Sequence, residues 1–329
     1  MGRSSALRIG LTLGAVAFAL ALPQWIRSDY MIHILTLMLL WSFVATGWAY
    51  MARFGLVSLG HGVFLGIGAY VPALLFNYYG LSPWLGMLVG VAVAVAVAAL
   101  LGYACFRSGL IGDYFALVTL AVAEVASLTI VAFREVTGGS LGLTLRTSGH
   151  SWWYLQFDDK RYFYYIILVF LLLALVLWRR IDRSRMRMAL TAIGEDELAA
   201  SSLGVTVLKF KMAITMISAA LTAVGGVLYC QYLTYINPHT VSGVGVSLAI
   251  CFKAILGGMF ALLGPLVGAS LIVSLQEYVR VSLGTKFLGI SEVVYGLVLI
   301  LLIIFLPKGI FGSLNAAWQG RIQKGGPTA

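Results

Sequence analysis

The sequence predicts an all-α polytopic membrane protein of about ten (eight to ten) transmembrane helices of ~20 residues each, in a single transmembrane domain over residues 1–329. Three observations predict it. Apolar residue types make up 61% of the 329 residues and charged types 10%, against about 45–50% and about 25% in soluble domains. Charged residues interrupt the apolar runs at intervals that suit membrane spans. The basic excess, 22 Lys and Arg against 12 Asp and Glu, gathers in the connections on one side. Together these exclude a disordered chain, a disulfide scaffold and an ordinary soluble enzyme. They also argue against a nucleic-acid binder, because a water-soluble basic protein has nowhere to hide so much apolar surface. Cys105, Cys230 and Cys251 lie inside or at the ends of apolar runs, with no C-x-x-C pair, and read as buried free thiols.

The first apolar run, Ile9 to Leu22, follows Arg3 and Arg8 and contains Ala19-Leu20-Ala21, which gives it the look of a secretory signal. It is read here as an uncleaved first helix. Further spans are expected near Met31–Tyr50, Gly55–Tyr79, Trp84–Phe106, Tyr114–Phe133, Tyr162–Trp178, Phe210–Leu233, Gly245–Leu256, Met259–Val279 and Ile290–Leu306. With the N-terminus inside, Arg53, Arg107, Arg179 to Arg187, Lys209, Lys211 and Lys308 all fall on the inner side, so both termini are expected to be cytoplasmic. Lys253 is left within a span. The stretch 243–280, interrupted at Gly257-Gly258 and Gly264-Pro265, fits either two short spans or a re-entrant half-helix followed by one span. Two connections are long: Arg134–Arg161, expected outside, with Trp152-Trp153-Tyr154, and Arg179–Lys211, expected inside.

No catalytic constellation is present. His33, His61, His150 and His239 lack His, Cys or carboxylate neighbours at ligand spacing, so no metal site is expected. The chain has no phosphate-binding G-x-x-x-x-G-K-[ST], no G-x-S-x-G and no H-E-x-x-H. It is not expected to be an enzyme or to hold a cofactor, and any energy must come from another subunit. Glu124 lies deep in a span, where an ionisable group is costly, and reads either as a hydrogen bond to a neighbouring helix or as part of a transport path.

Within the long inner connection, Glu195, Asp196 and Glu197 crowd the start of a short helix, Ala199 and Ala200 give it a small face, and Gly204 stands where a C-terminal cap is wanted. Such a helix is too short to persist alone in water and must pack on its own domain or on a partner. The third span carries Gly55, Gly60, Gly62, Gly66 and Gly68; Gly62 and Gly66 form a G-x-x-x-G. This glycine density suits close helix packing, and equally a broken helix whose backbone polar groups face a cavity. Gly257, Gly258, Gly264 and Gly268 repeat the theme. A polar solute crossing the membrane needs polar groups along its way, and Ser58, Gly60, His61, Gly62, Tyr70 and Glu124 are the candidates for that pathway.

These motifs, taken in order, resemble the LivM-type permease subunits of branched-chain amino acid ABC importers. The resemblance runs from Gly55–Tyr70 through Gly112–Ala121, Thr137–Leu143, the loop at 192–204, Gly225-Gly226, Asn237-Pro238, Gly257-Gly258, Gly264-Pro265 and Gly268-Ala269 to Pro307-Lys308-Gly309-Ile310. It implies the ABC importer permease fold shared with sugar and vitamin B12 permeases, in a bacterial inner membrane. It implies a second, LivH-type permease subunit, two ATP-binding subunits that hydrolyse the ATP, and a periplasmic solute-binding protein. It also implies that Glu195–Gly204, with Glu195, Glu197, Ala199, Ala200 and Gly204, is the helix that couples the permease to an ATPase. Ala49, Leu56 and Gly194 depart from the family pattern, and Lys253 occupies a normally apolar stretch. The solute therefore stays open between branched-chain or related amino acids, urea or short amides, and aromatic or other carboxylic acids. A stand-alone channel is the reading from a different class, and it would need no docking loop.

Overall fold

The structure, a computed structural model, describes residues 17–147 and 149–283 together with isolated positions at 14, 293, 296, 297, 300, 309 and 310. The expected first span is described only from residue 17, residues 17–25 being helical, and the expected Ile290–Leu306 span lies outside the described residues apart from isolated positions.

Helix α1 (Asp29–Ala52) is the axis of the bundle. Every residue from Ser42 to Ala52 is buried, so the helix is apolar all round rather than on one stripe. Around it stand α2 (His61–Tyr79), α3 (Pro83–Arg107), α4 (Gly112–Ala132), the short α5 (Arg134–Thr137), α6 (Lys160–Asp182), α7 (Arg185–Glu195), α8 (Glu197–Ser202), α9 (Val207–Leu233), α10 (Pro238–Val241), α11 (Val244–Gly257) and α12 (Gly264–Leu283). Helix α9 packs on α1, α2 and α3 along Ser218, Ala219, Thr222, Ala223, Gly225 and Gly226. These small residues let backbones approach, which is how helices gain contact when lipid supplies no hydrophobic drive. At the α2–α9 crossing a Cβ on Gly68 would run into the Ala223 backbone and one on Gly226 into the Leu65 carbonyl.

Among the described residues, seven helical segments are long and apolar enough to cross a membrane: α1, α2, α3, α4, α6, α9 and the pair α10–α11. Helix α12 also runs the length of the bundle. The 258–263 turn before it places Phe260 against a cavity shared with Arg53, just past the C-terminus of α1, while Glu277 accepts a hydrogen bond from Tyr30 at the opposite end. Residues 243–280 thus form two helical segments, of which the α10–α11 pair is long and apolar enough to cross a membrane, and α12 begins at Gly264 rather than Met259. The α11–α12 hairpin closes backbone to backbone, with Gly257 against Gly264 and Gly268 against the Lys253 carbonyl.

One boundary differs from expectation for an instructive reason. The third span was expected from Gly55, yet α2 begins at His61. Gly55 takes a positive φ of 83° and the chain stays non-helical through Gly60, where a Cβ would collide with the Thr119 carbonyl. Hydropathy runs on through these residues and does not register the change of dihedral.

The 134–159 connection folds over one end. Leu143–Thr144 pairs antiparallel with Tyr235–Ile236, and the Asn77 side chain clamps the segment, donating to the Thr144 carbonyl at 2.9 Å and accepting from the Arg146 amide at 3.0 Å. Ser82 and Trp84 tie down the carbonyls of Trp153 and Trp152, whose rings remain exposed as an interfacial belt requires.

Candidate functional site

Two places gather the residues singled out from the sequence. The first is the extended segment before α2. Its backbone is held by protein groups: the Trp48 indole donates to the Ser58 carbonyl at 2.7 Å, the Leu59 amide donates to Thr119 Oγ1 at 3.0 Å, and the Gly60 amide donates to Ser58 Oγ at 3.1 Å. A broken segment at this depth is tolerated because its polar groups are met inside the bundle. The cavity beside it, between Ser58, Gly60, Phe64, Phe115 and Thr119, measures about 20 Å³, room for one water. His61 is fully buried, edge-on to Trp48 and Phe64. Its Nε2 lies 2.8 Å from Ser218 Oγ, and that hydroxyl donates its one proton to the Gly47 carbonyl at 2.7 Å. His61 must therefore be the donor through Nε2, which makes it a clip between α1, α2 and α9.

Gly62 and Gly66 lie against the break between α10 and α11. The Gly62 amide donates to Ser247 Oγ at 2.9 Å, and a Cβ on Gly66 would sit 3.1 Å from Ser242 Cβ. Tyr70 is buried in the core with Ala73, Phe76 and Leu228. Glu124 reaches this cluster only through Gly243, the residue whose backbone Gly62 abuts. It is exposed on the outer face of α4, a helix that buries only the i, i+4 stripe Phe115, Thr119, Ala123 and Ser127, and its carboxylate comes near the break at Gly243. Of the expected pathway residues, Ser58, Gly60, His61 and Gly62 are brought together inside the bundle, Tyr70 lies in the core, and Glu124 alone faces outward.

The second place is the elbow at the Arg53 end. Arg53 donates to Asp182 at 2.8 Å and stacks over Trp178 at 3.8 Å, tying α1 to α6. The connection then makes two helices where one was expected. Glu195 closes α7, and Asp196 is the N-cap of the six-residue α8, accepting from the amides of Leu198 and Ala199 at 2.9 and 3.0 Å. Gly204, at φ +85°, ends it: the Gly204 and Val205 amides donate to the carbonyls of Ser201 and Ala200. Glu197 pairs with Lys211, whose side chain is only 3% exposed, and so tethers α8 to the second turn of α9. Ala200 is buried at 2% exposure, so it packs inward; Ala199 stays exposed, and the large apolar groups facing out are Leu198 at 81% and Leu203 at 84%. Sequence reasoning gave the outer face to the alanines and missed these leucines. Their i, i+5 placement around the Gly204 cap was the available signal.

With this geometry in view, comparison with known proteins is decisive for the family. The family described as "Branched-chain amino acid transport system / permease component" matches residues 30–306. The chain belongs to that family. The LivM permease of the high-affinity branched-chain amino acid transport system of Escherichia coli K12 is 30% identical, over 78% of this chain and 64% of its own length. The chain thus spans just under two thirds of the LivM relatives it matches. The E. coli LivH permease of that system is 25% identical, over 78% of this chain and 86% of its own. A nucleoside ABC transporter permease, NupC of Lactococcus lactis, is 24% identical over 82% of this chain and 89% of its own.

Proposed function

We propose that the chain is one membrane-spanning half of an ATP-driven ABC importer for branched-chain or related amino acids, in a bacterial inner membrane. Its partners in this reading are a second, LivH-type permease, two ATP-binding subunits and a periplasmic solute-binding protein. The observation that carries the reading is the elbow: a six-residue helix, capped at both ends and tethered by Lys211, that exposes Leu198 and Leu203. A channel working alone has no use for such a knob, whereas an ATPase cleft would bury it. The Arg53 end is then cytoplasmic, both termini lie on that side, and the 134–159 connection faces the periplasm.

In this reading the pathway forms between the two permease halves. Among the described residues the void beside Ser58 is water-sized, while the outward face of α4 presents Glu124 where lipid would solvate it poorly. Closure of the ATPases would move α8, and the Glu197–Lys211 pair would pass that motion to α9 and so to the His61 clip.

The test is uptake into proteoliposomes holding the permease pair, with loaded binding protein outside. Leucine accumulation should require the ATPase subunits and internal ATP. Leucine entry at an undiminished rate with the ATPases left out would overturn the reading in favour of a facilitator.

A further inference from the structure

The corner where α6 passes into α7 holds five arginines in nine residues, Arg179, Arg180, Arg183, Arg185 and Arg187, every one of them exposed. Asp182 is the acid among them, and its carboxylate is taken by Arg53 at 2.8 Å. No carboxylate among the described residues pairs with any of the five. Arg179 and Arg180 complement the α6 dipole. Arg185 and Arg187 do the reverse, standing in the first turn of α7, where the dipole disfavours cations and no acid offsets them. Glu195, Asp196 and Glu197 lie beyond the far end of α7, about 15 Å along its axis. The α6 face that leads to this corner is apolar. Val169, Leu173 and Val176 are each more than half exposed, and their spacing of four and three puts them on one stripe. Arg180 and Arg183 continue that stripe at the same spacing. Met188, on α7, is exposed beside them.

We propose that the α6–α7 corner binds anionic phospholipid headgroups. An exposed apolar stripe that ends in arginines fits a single phospholipid, with an acyl chain along Val169, Leu173 and Val176 and the phosphate at Arg180 and Arg183. Each guanidinium donates two N–H groups to two phosphate oxygens, a match that a lysine ammonium does not make. A headgroup of net negative charge also supplies the anion that the corner lacks, whereas the ammonium of a zwitterionic lipid cancels most of that gain. Met188 meets the boundary between headgroups and chains. Held in this way, the start of α7 is fixed at the membrane surface, and α7 is the root from which α8 projects. That last step rests on the coupling reading given above; the lipid site does not.

The test places a photo-crosslinker on the stripe, Val176→p-benzoylphenylalanine, in the purified permease–ATPase complex. In nanodiscs of equal phosphatidylglycerol and phosphatidylcholine, it should capture phosphatidylglycerol in excess. Arg180→Gln and Arg183→Gln should each lower that excess about fivefold, and added salt should lower it in the complex that keeps both arginines. Both side chains are exposed; if a variant still fails to assemble, the salt dependence decides. Equal capture of the two lipids, or an excess that salt and both variants leave intact, would overturn the site. Capture of an ATPase or of the second permease in place of lipid would overturn it too and give the corner to a protein partner. For the elbow, ATP-driven leucine uptake should fall severalfold in proteoliposomes without phosphatidylglycerol, while the ATPases still copurify. Uptake indifferent to that lipid would overturn the part in coupling, and no uptake with either lipid would overturn the importer reading beneath it.

Discussion

His61 shows how much one hydroxyl settles. Because Ser218 spends its proton on the Gly47 carbonyl, the imidazole has to donate through Nε2, and a glutamine amide can do the same. His61→Gln should therefore leave assembly and leucine uptake within about twofold of wild type, while His61→Leu should lower the stability of the complex by about 1 kcal/mol, the ordinary worth of one hydrogen bond. Thermal unfolding of the purified complex measures the difference. A change of solute preference in His61→Gln would place the ring on the pathway after all. Glu124 belongs to the same scale with the opposite expectation. An exposed carboxylate at mid-span persists only where water or a partner meets it, so Glu124→Leu should insert and assemble normally yet reduce the maximal uptake rate. Unchanged uptake would remove Glu124 from the path.

At the scale of elements, the short helix α8 and the glycine crossings carry the argument. Leu198→Asp together with Leu203→Asp should abolish ATP-driven uptake and the copurification of ATPases, while the membrane domain keeps its melting temperature. Ala200→Arg should act differently, destabilising the elbow itself, since Ala200 packs inward. Loss of ATPase binding with Ala200→Arg alone, at unaltered stability and with the leucine pair inert, would reassign the docking face. Glycines sort by their surroundings in the same way. Gly68→Ala puts a Cβ into the Ala223 backbone and should cost about 2 kcal/mol as overpacking, whereas Gly245→Ala meets nothing within 4 Å and should be neutral. Fluorescence-detected size-exclusion of heated samples ranks the two. Composition picked out Gly62, Gly66, Gly68, Gly257, Gly258, Gly264 and Gly268 as close-packing positions. It had no way to tell which backbone each one meets.

For the whole molecule, side-specific labelling reads out which end faces which side. A cysteine placed at Arg183 should react only with membrane-permeant maleimides in intact cells, and one at Gly149 with impermeant reagents as well; labelling in the opposite sense would invert the orientation proposed here. The sequence by itself determined that the chain is a bundle of apolar helices, where most of those helices lie, and that it resembles this transport family. Those properties are written in composition, charge position and local spacing, and α3, α4, α6 and α9 fall within a few residues of expectation for that reason. Only the tertiary structure decided that α2 starts at His61, that Ala200 faces in while Leu198 and Leu203 face out, that Glu124 is exposed while His61 is buried, and that Gln231 borders a cavity. Each depends on which distant backbone or side chain occupies the space beside a residue. Apolar runs in a membrane look alike on every face, so periodicity had no polar side from which to read that placement.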